Sequence, residues 1–318
     1  MTLIELIESG ARRLTDAGVA FGHGTTNAFD EAAWLTLWCL KLPLDTPLDD
    51  PAEHPDSQRF RAVSQEEQGQ TAALFEQRIA TRKPAAYLTR EAWLQGVPFY
   101  VDERAIVPRS LIAEVLAEGS IDLWLSDQTR TVLDMCTGNG SLAVLAALAW
   151  PDVAVTGADL STDALAVARI NVDKHVLAER ITLVPSDGWA AFENAAAAPT
   201  TFDLVLCNPP YVNADSMAAL PPEFRAEPDM ALSGNLGAAS SGDGMDFIRP
   251  FLAGAAQHLT PQGVVVLEIG HERAFFEAAF PQLEPIWLST SAGDDHVLLL
   301  TRDQLTGMDS TCTTRHSH

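Results

Sequence analysis

The sequence predicts an α/β protein in which a mostly parallel sheet is covered by helices and is preceded by a small helical domain. After Arg130, apolar strand-like runs alternate with helical segments, from TVLDMC and SLAVLAALAW to GVVVLEIG and DDHVLLLTR. Such an alternation is typical of βαβ units, whose parallel strands are buried on both faces. Residues 1–84 instead carry apolar residues at helical spacing. The chain therefore divides into a helical part and an α/β part.

The helical part is predicted to contain three helical stretches. Apolar residues repeat near a helical period from Leu3 to Leu14 and again from Phe29 to Leu40, and a third stretch runs from Ser57 to Ala80. The segment LPLDTPLDDPAEHPD, between the second and the third, is rich in proline and aspartate. It is predicted to be an irregular connection.

The rest of the chain follows in three parts. Residues 85–110 are predicted to form a hairpin linker, because aromatic and β-branched residues are spaced there by Gly96, Pro98 and Pro108. The α/β domain covers residues 111–303 and opens with a helix from Leu111 to about Leu125. Within it, the glycine- and serine-rich residues 232–244 are predicted to be a flexible loop. Residues 304–318 lack a pattern that would pack and are predicted to be a disordered tail.

Composition limits the possible partners and compartments. The chain has 20 Lys and Arg against 43 Asp and Glu, a net charge of −23, which repels nucleic acid and anionic membranes and favours a basic partner. No apolar run reaches the roughly 18 residues that a membrane span needs, so a soluble, cytoplasmic protein is expected. The 4 cysteines and 8 histidines show no metal-ligand spacing, so reduced thiols and no metal are expected.

A glycine turn marks the first candidate ligand site. In DMCTGNGSLA a strand ends at Asp134, a turn with Gly138 and Gly140 follows, and a helix opens at Ser141. The glycines let the backbone approach a ligand closely, and the helix N-terminus suits a carboxylate or a phosphate. The spacing also fits G-x-G-x-x-A through Ala143, so a dinucleotide site, and with it an oxidoreductase, remains an alternative.

Two acidic residues follow the next two strands. Asp159, in GADLS, is placed to accept the ribose hydroxyls of a nucleoside, although a helix N-cap is an alternative role. Asp187, in SDGW, is placed to accept from an adenine amino group, and a turn or cap role is equally compatible with its position. Together the two carboxylates favour a nucleoside-containing ligand.

The fourth strand, FDLVL, is followed by CNPPY, residues Cys207 to Tyr211. Two prolines cannot continue a strand ladder, so the segment is a rigid break. A purely structural turn is one interpretation. Because the carboxyl ends of parallel strands meet at one edge of the sheet, Asn208 to Tyr211 are instead expected to face the ligand held by the other three strand ends.

These motifs resemble those of a known enzyme class. DMCTGNG, GAD and CNPPY, in this order, resemble the glycine, acidic and catalytic motifs of S-adenosylmethionine-dependent methyltransferases. NPPY is similar to the motif of enzymes that methylate amino groups of DNA bases or side-chain amides of protein glutamines. KPAAYL, Glu91 to Gly96 and VPRS resemble the linker of protein-glutamine methyltransferases. EAWLQG, VPRSLIAE and LPPEFRAEP look more like the branch that modifies ribosomal large-subunit protein L3 than the release-factor branch.

The resemblance implies a seven-stranded Rossmann-like class I methyltransferase sheet. It also implies transfer of a methyl group from S-adenosylmethionine to a glutamine side-chain amide of the basic protein L3, with residues 1–84 docking the substrate. Methylation of release factors is the alternative within the family. A DNA amino-methyltransferase conflicts with the net charge of −23. An assembly factor that senses the cofactor without catalysis is a further alternative, which the intact NPPY disfavours.

The resemblance also assigns site residues. The residues expected to bind the cofactor are Asp134, Thr137, Gly138, Asn139, Gly140, Asp159, Asp187 and Asn208. Those expected to contact the substrate are Asn208, Pro209, Pro210 and Tyr211, and among them Asn208, Pro209 and Tyr211 are expected to be catalytic. The side-chain oxygen of Asn208 and the carbonyl of Pro209 would accept the two N–H bonds of the amide. Glu268, in VLEIG, reaches the same edge, where a structural role fits equally well.

Overall fold

The computed structural model describes residues 1–48, 58–193, 200–235 and 240–312, with the side chains of residues 308–312 left aside. The chain divides into two compact units. The first, the helical unit, comprises Met1–Ala92, Val101–Glu103 and Pro221–Ala226. The second, the sheet unit, comprises Trp93–Tyr100, Arg104–Leu220 and Glu227–His318. The helical unit therefore continues past the predicted boundary at residue 84 and includes two segments from later in the chain.

Four helices form most of the helical unit. They are α1 (Leu3–Asp16), α2 (Ala28–Cys39), α3 (Gln65–Thr81) and α4 (Ala85–Thr89). The first and third begin at a capping box, in which Thr2 pairs with Glu5 and Ser64 with Glu67. The predicted start of the third helix near Ser57 is therefore too early, because Ser64 ends the preceding extended backbone. Residues 49–56 of the predicted irregular connection, and Ser57 after them, lie outside the described residues.

A buried cluster of charges lies in the core of the helical unit. Arg78 is 0% exposed, and its Nε donates to Glu31 Oε1 at 2.8 Å. Burial raises the pKa of Glu31, and the attraction of Arg78 opposes that rise. Glu223 Oε1 lies 3.8 Å from Arg78 Nη1 and 3.2 Å from Arg82 Nη1. These ion pairs attach the segment Pro221–Ala226 to the helical unit.

The sheet unit contains the remaining elements. Its strands are the hairpin β1 (Ala92–Leu94) and β2 (Val97–Phe99), followed by β3 (Thr131–Met135), β4 (Ala154–Asp159), β5 (Ile181–Pro185), β6 (Phe202–Cys207), β7 (Leu259–Glu268), β8 (Ile286–Thr290) and β9 (Gly293–Thr301). Its helices are α5 (Ile112–Glu118), α6 (Ser141–Ala149), α7 (Thr162–Lys174), α8 (Ala214–Ala219), α9 (Asp229–Leu232), α10 (Ile248–Ala255), α11 (Arg273–Ala279) and α12 (Arg302–Cys312). The hairpin expected in the linker is present and is confined to these two short strands.

The large sheet has seven strands in the order β5-β4-β3-β6-β7-β9-β8. The first five are parallel, and β9 is antiparallel to both β7 and β8. Alternate side chains of each central strand enter two separate apolar cores, one on each face, as Leu204 and Val205 do in β6. This arrangement confirms the predicted Rossmann-like fold. In the described parts of the chain, no helix is long and apolar enough to cross a membrane, and no group of three metal-ligand side chains is present.

Two predicted boundaries in the sheet unit are corrected. Helix α5 ends well before Leu125, because Gly119 adopts a left-handed conformation with φ +66° and stops it. The chain from residue 304 to 312 is helical, where a disordered tail was predicted. Leu305 is 1% exposed, and Thr301 Oγ1 accepts from the backbone N–H of Gln304, so this helix packs and is capped. Residues 313–318 lie outside the described residues.

Asp203 links the amino ends of the neighbouring strands β3, β6 and β7 through hydrogen bonds. Its carboxylate accepts from the backbone N–H groups of Arg130 and Thr131 at 2.8 and 3.0 Å, and from Thr260 Oγ1 at 2.9 Å. Burial acts to raise the pKa of Asp203, but these donors outweigh it and hold the pKa below its ordinary value. The carboxylate therefore stabilises the amino-terminal edge of the sheet in its ionised form.

We expect Asp203→Ala to lower the free energy of unfolding by about 1–3 kcal/mol at neutral pH, because it removes the charged acceptor of several hydrogen bonds. Urea unfolding measures this loss. Since the folded pKa is depressed, the contribution of Asp203 is complete above its ordinary value of 3.8 and is lost as the pH falls below it. A difference between the two proteins that stays constant below that pH would contradict the assignment.

Candidate active site

Five parallel strands bring their carboxyl ends to one edge of the sheet. The chain continues from β3 to β4 and β5 on one side and resumes with β6 and β7 on the other, so the strand order switches between β3 and β6. Open α/β sheets bind ligands at such a switch. Met135 is paired with Cys207 there, so the glycine turn and the NPPY segment begin side by side. We call the carboxyl ends of β3 to β7, with the residues that directly follow them, the switch-point edge.

The turn after β3 requires glycine at two positions. Gly138 and Gly140 have φ values of +55° and +80°, in the left-handed region. A Cβ atom on Gly140 would lie 3.0 Å from the Cβ of Ala168, so the turn packs closely against α7. Their N–H groups bond within the protein, from Gly138 to Asp159 Oδ2 at 2.8 Å and from Gly140 to the Thr137 carbonyl at 2.8 Å. That the turn contacts a cofactor remains a prediction. Such a contact has to use atoms other than the N–H groups of Gly138 and Gly140.

The carboxylate of Asp134 lies at the centre of the switch-point edge, and its two oxygens differ in their hydrogen bonds. It is 0% exposed, and its Oδ2 accepts from Thr137 Oγ1 at 2.5 Å and from the Ala143 N–H at 2.9 Å. Its Oδ1 is buried and has no hydrogen-bond partner among the residues that the structure describes. Burial raises the pKa of Asp134 to about 7, which the two donated hydrogen bonds only partly oppose. A cationic ligand group would satisfy both the unpaired oxygen and the buried charge.

Asn139, in the turn that follows β3, carries a second unpaired polar atom. The side chain is 2% exposed, and its Oδ1 accepts from the Ser141 N–H at 3.2 Å. Its Nδ2 is buried, and no residue in the described ranges hydrogen-bonds to it. Buried polar groups are nearly always paired in folded proteins, so the unpaired acceptor in β3 and the unpaired donor in the turn after it call for a partner such as water or a ligand.

Asp159 lies at the end of β4 and is half-buried. Its two oxygens accept from the backbone N–H groups of Gly138 and Ser161, both at 2.8 Å. The helix cap that was the alternative role for Asp159 is provided by Ser161, whose Oγ accepts from the Ala164 N–H. Burial raises the pKa of Asp159, against the effect of these donors. The partly exposed carboxylate has further lone pairs available for hydroxyl donors.

Asp187 follows β5 and is exposed, with its carbonyl accepting from the Ala190 N–H in a turn. The nearby Trp189 belongs to the core. It stacks on Phe251 and His258 with ring centroids 5.3 and 4.5 Å apart, and its Nε1 donates to the Phe251 carbonyl. Of the aspartates at the edge, Asp187 is thus the least restrained by the rest of the protein.

The NPPY segment directly follows β6. Asn208 is half-exposed, and in the described parts of the chain no residue hydrogen-bonds to its side chain. Pro209 is buried, and Pro210 and Tyr211 are partly buried. The Tyr211 hydroxyl donates to Glu268 Oε1 at 3.2 Å. The Asn208 amide, which has no hydrogen-bond partner within the described ranges, therefore lies on a turn that two prolines stiffen at the switch point.

Sequence reasoning left the role of Glu268 open and did not single out Ser110. Glu268 is 4% exposed and accepts from Ser110 Oγ at 2.5 Å, in addition to Tyr211. One signal was present in the sequence, because an acidic residue ends the apolar run GVVVLEIG at the carboxyl edge of the sheet. No local pattern points from residue 268 to residue 110.

Comparison with known proteins gives one consistent result. A family model described as methyltransferase small domain matches residues 114–226. Ribosomal protein uL3 glutamine methyltransferase of Bordetella pertussis is 49% identical, over 96% of this chain and 96% of its own length. The proteins of the same name from Burkholderia pseudomallei and Neisseria gonorrhoeae are 47% and 43% identical, over 96% of this chain and over 95% and 96% of their own lengths. A solved structure of the T. thermophilus 16S rRNA N2 G1207 methyltransferase has a TM-score of 0.41 at 17% identity, covering 66% of this chain and 49% of that chain, a likeness too weak to carry an argument.

Proposed function

The chain belongs to the family of ribosomal protein uL3 glutamine methyltransferases, and we propose that it transfers a methyl group from S-adenosylmethionine to the side-chain amide nitrogen of a glutamine in uL3. The observation that carries this proposal is that the Asn208 amide, which has no hydrogen-bond partner among the described residues, and the carboxylate of Asp134 lie at the ends of two paired strands. The first suits an amide substrate, and the second suits a cofactor with an ammonium group.

The residues at the switch-point edge fit this cofactor. S-adenosylmethionine supplies an electrophilic methyl group on a sulfonium. Its methionyl ammonium would satisfy the buried, unpaired Oδ1 of Asp134, and its carboxylate would satisfy the unpaired Nδ2 of Asn139. Thr137, Gly138 and Gly140 would surround the methionine end. Asp159 has the remaining acceptor capacity for ribose hydroxyls, and the exposed Asp187 is available for the adenine amino group.

The substrate amide requires two acceptors, because its nitrogen is a poor nucleophile. The lone pair is delocalised into the carbonyl, so the nitrogen attacks only when it is held in line with the methyl carbon. The Asn208 side-chain oxygen and the Pro209 carbonyl would each accept one N–H bond of the glutamine. The backbone that carries both acceptors is stiffened before the substrate binds, since two prolines follow Asn208 and Pro209 is buried.

The proton balance requires no ionised base beside the nitrogen. As the nitrogen–carbon bond forms, the bond from the methyl carbon to sulfur would break and leave its electron pair on sulfur, and the nitrogen becomes far more acidic, so that water can take its extra proton. Asn208 stabilises the positive charge that develops on the N–H groups, an electrostatic effect in a partly dehydrated site. Tyr211 would lie beside the planar amide as a wall. Burial of Tyr211 raises the pKa of its hydroxyl well above the ordinary value, so the hydroxyl is neutral near pH 7.

The substrate's charge complements that of the enzyme. A net charge of −23 attracts a basic ribosomal protein and steers the encounter. We assign docking of uL3 to the helical unit, and we place the reaction in the cytoplasm, where ribosomal proteins are synthesised. Release factors remain the alternative substrate within the family, whereas DNA shares the negative sign of the enzyme and would be repelled.

A substrate panel tests the proposal. The purified protein is incubated with isotopically labelled S-adenosylmethionine and, separately, with uL3, a peptide chain release factor and duplex DNA. We expect label on uL3 alone, at a rate that falls as salt rises because steering is screened. Label on the release factor but not on uL3 would assign the chain to the other branch, and label on DNA would overturn the assignment altogether.

A further inference from the structure

The contact between Tyr211 and Glu268 fixes one end of the tyrosine ring. The hydroxyl donates to Glu268 Oε1 at 3.2 Å. The other oxygen of the same carboxylate accepts from Ser110 Oγ at 2.5 Å and from the Leu111 N–H at 2.9 Å. Glu268 is 4% exposed and ends β7, while Ser110 and Leu111 precede α5. One buried carboxylate thus connects the NPPY turn to the segment before α5.

Two glycines confine the tyrosine from other directions. A Cβ atom on Gly270 would lie 2.6 Å from the Cε2 of Tyr211, so the ring rests directly on this backbone. A Cβ atom on Gly244 would lie 2.1 Å from the Tyr211 carbonyl oxygen. Real Cβ contacts are never this short, so neither glycine can be replaced without moving Tyr211. Gly270 therefore limits the ring on one side and Gly244 limits the backbone, while Glu268 holds the ring at its hydroxyl end.

A role in stability alone explains this carboxylate poorly. Burial raises the pKa of Glu268, against the donors that favour its ionised form. Removing a carboxylate from water costs free energy that its hydrogen bonds only roughly recover, so its burial is weak evidence of a purely stabilising role. The carboxylate also orients its neighbours, because its two oxygens accept from Ser110 and Tyr211 at the same time.

We propose that Glu268 is a positioning residue of the methyl transfer, which accepts the Tyr211 hydroxyl while Ser110 holds its other oxygen, and so fixes the tyrosine ring beside the substrate amide. The inference rests on the proposed function for the identity of that amide. It gives Tyr211 the role of a fixed wall, not of an acid or a base. Glu268 contacts neither substrate nor cofactor and acts only through Tyr211.

A double-mutant cycle tests this coupling. Tyr211→Phe removes only the hydroxyl, and Glu268→Gln keeps the shape of the side chain. We expect each to lower kcat for uL3 about tenfold, the equivalent of one hydrogen bond to a charged group. KM for uL3 and the Kd of the cofactor should change less than about twofold, since binding of the ground state is not involved. The double variant should be no slower than the slower single variant, because both changes break the same contact.

The exposed Glu284→Gln serves as the control for loss of a carboxylate and should leave kcat unchanged. If kcat of the double variant is about a hundredfold below that of the unmodified protein, the two effects multiply. Glu268 then acts independently of Tyr211, and the proposal is overturned. A Glu268→Gln variant whose entire loss lies in thermal stability would overturn it too. If Glu268→Gln fails to fold, Ser110→Ala takes its place in the cycle, with the same expected coupling to Tyr211→Phe.

A second readout does not depend on any substrate. Glu268, Arg109 and Glu272 are the charged groups that act on the Tyr211 hydroxyl. The absorbance titration of Tyr211 is obtained by subtracting the curve of Tyr211→Phe, which has two of the 3 tyrosines left. Glu268→Gln should shift this titration to lower pH, because a negative charge beside the hydroxyl is gone. An unchanged titration would overturn the contact, whereas absence of uL3 methylation by the unmodified protein would overturn only the proposed function.

Discussion

Asn208→Ala is expected to lower kcat for uL3 methylation about 10³-fold, the loss typical of removing one preorganised group that stabilises a transition state. The variant removes the side-chain oxygen that would accept one N–H bond of the glutamine. Because the side chain makes no hydrogen bond in the described part of the protein, its loss should not disturb the fold. The measurement is single-turnover transfer of labelled methyl to uL3.

The matched control for this variant is Gln262→Ala, which removes an exposed amide near the amino end of β7, away from the switch-point edge. It should leave kcat and KM unchanged. Calorimetry should give Asn208→Ala a cofactor Kd close to that of the unmodified protein. Methylation of uL3 by Asn208→Ala at an undiminished rate would remove the catalytic role of NPPY and leave a structural turn.

Asp134→Asn is expected to weaken S-adenosylmethionine binding about 10- to 100-fold, the loss of one hydrogen bond between charged groups. The unmodified protein should also show a Kd that rises as the pH falls through about 7, because the carboxylate, whose pKa is raised to about 7, must be ionised to pair with the ammonium. Asp134→Asn should abolish this pH dependence. Titration calorimetry over a range of pH measures both effects.

The free energy of unfolding serves as the control for these binding measurements. Since burial makes the ionised Asp134 unfavourable in the ligand-free protein, Asp134→Asn should not lower the free energy of unfolding above pH 7. Asp203→Asn, at the other edge of the sheet, should lower stability and leave the cofactor Kd unchanged. A cofactor Kd that is the same in Asp134→Asn and in the unmodified protein would show that the buried oxygen faces no ammonium.

The sequence was sufficient to predict the sheet and the strand ends because these depend on local patterns. Runs such as FDLVLC alternate between two apolar cores, and Pro209 and Pro210 end that run for a reason contained in the residues themselves. The order of motifs then placed Asp134, Asp159 and Asn208 at one edge, and the parallel pairing of β3, β4 and β6 confirms that placement. Their roles toward a ligand remain predictions.

Contacts between distant parts of the chain were not predictable in this way. The segment Pro221–Ala226 joins the helical unit through Glu223, a residue that no periodicity distinguishes from an exposed carboxylate. Glu268 reaches Ser110 across 158 residues of sequence and Tyr211 across 57. Gly138 is expected to bind the cofactor, but its N–H is bonded to Asp159, and only the three-dimensional turn decides which donors are used within the protein.

The most direct test of the central claim is tandem mass spectrometry of uL3 after incubation with the purified protein and S-adenosylmethionine that carries a deuterated methyl group. We predict a single labelled methyl group on a glutamine, with fragment ions that place it on the side-chain nitrogen. The Asn208→Ala protein should leave that glutamine unmodified. A label on any other residue type, or an unlabelled uL3 with the unmodified enzyme, would contradict the claim that this site methylates a glutamine amide.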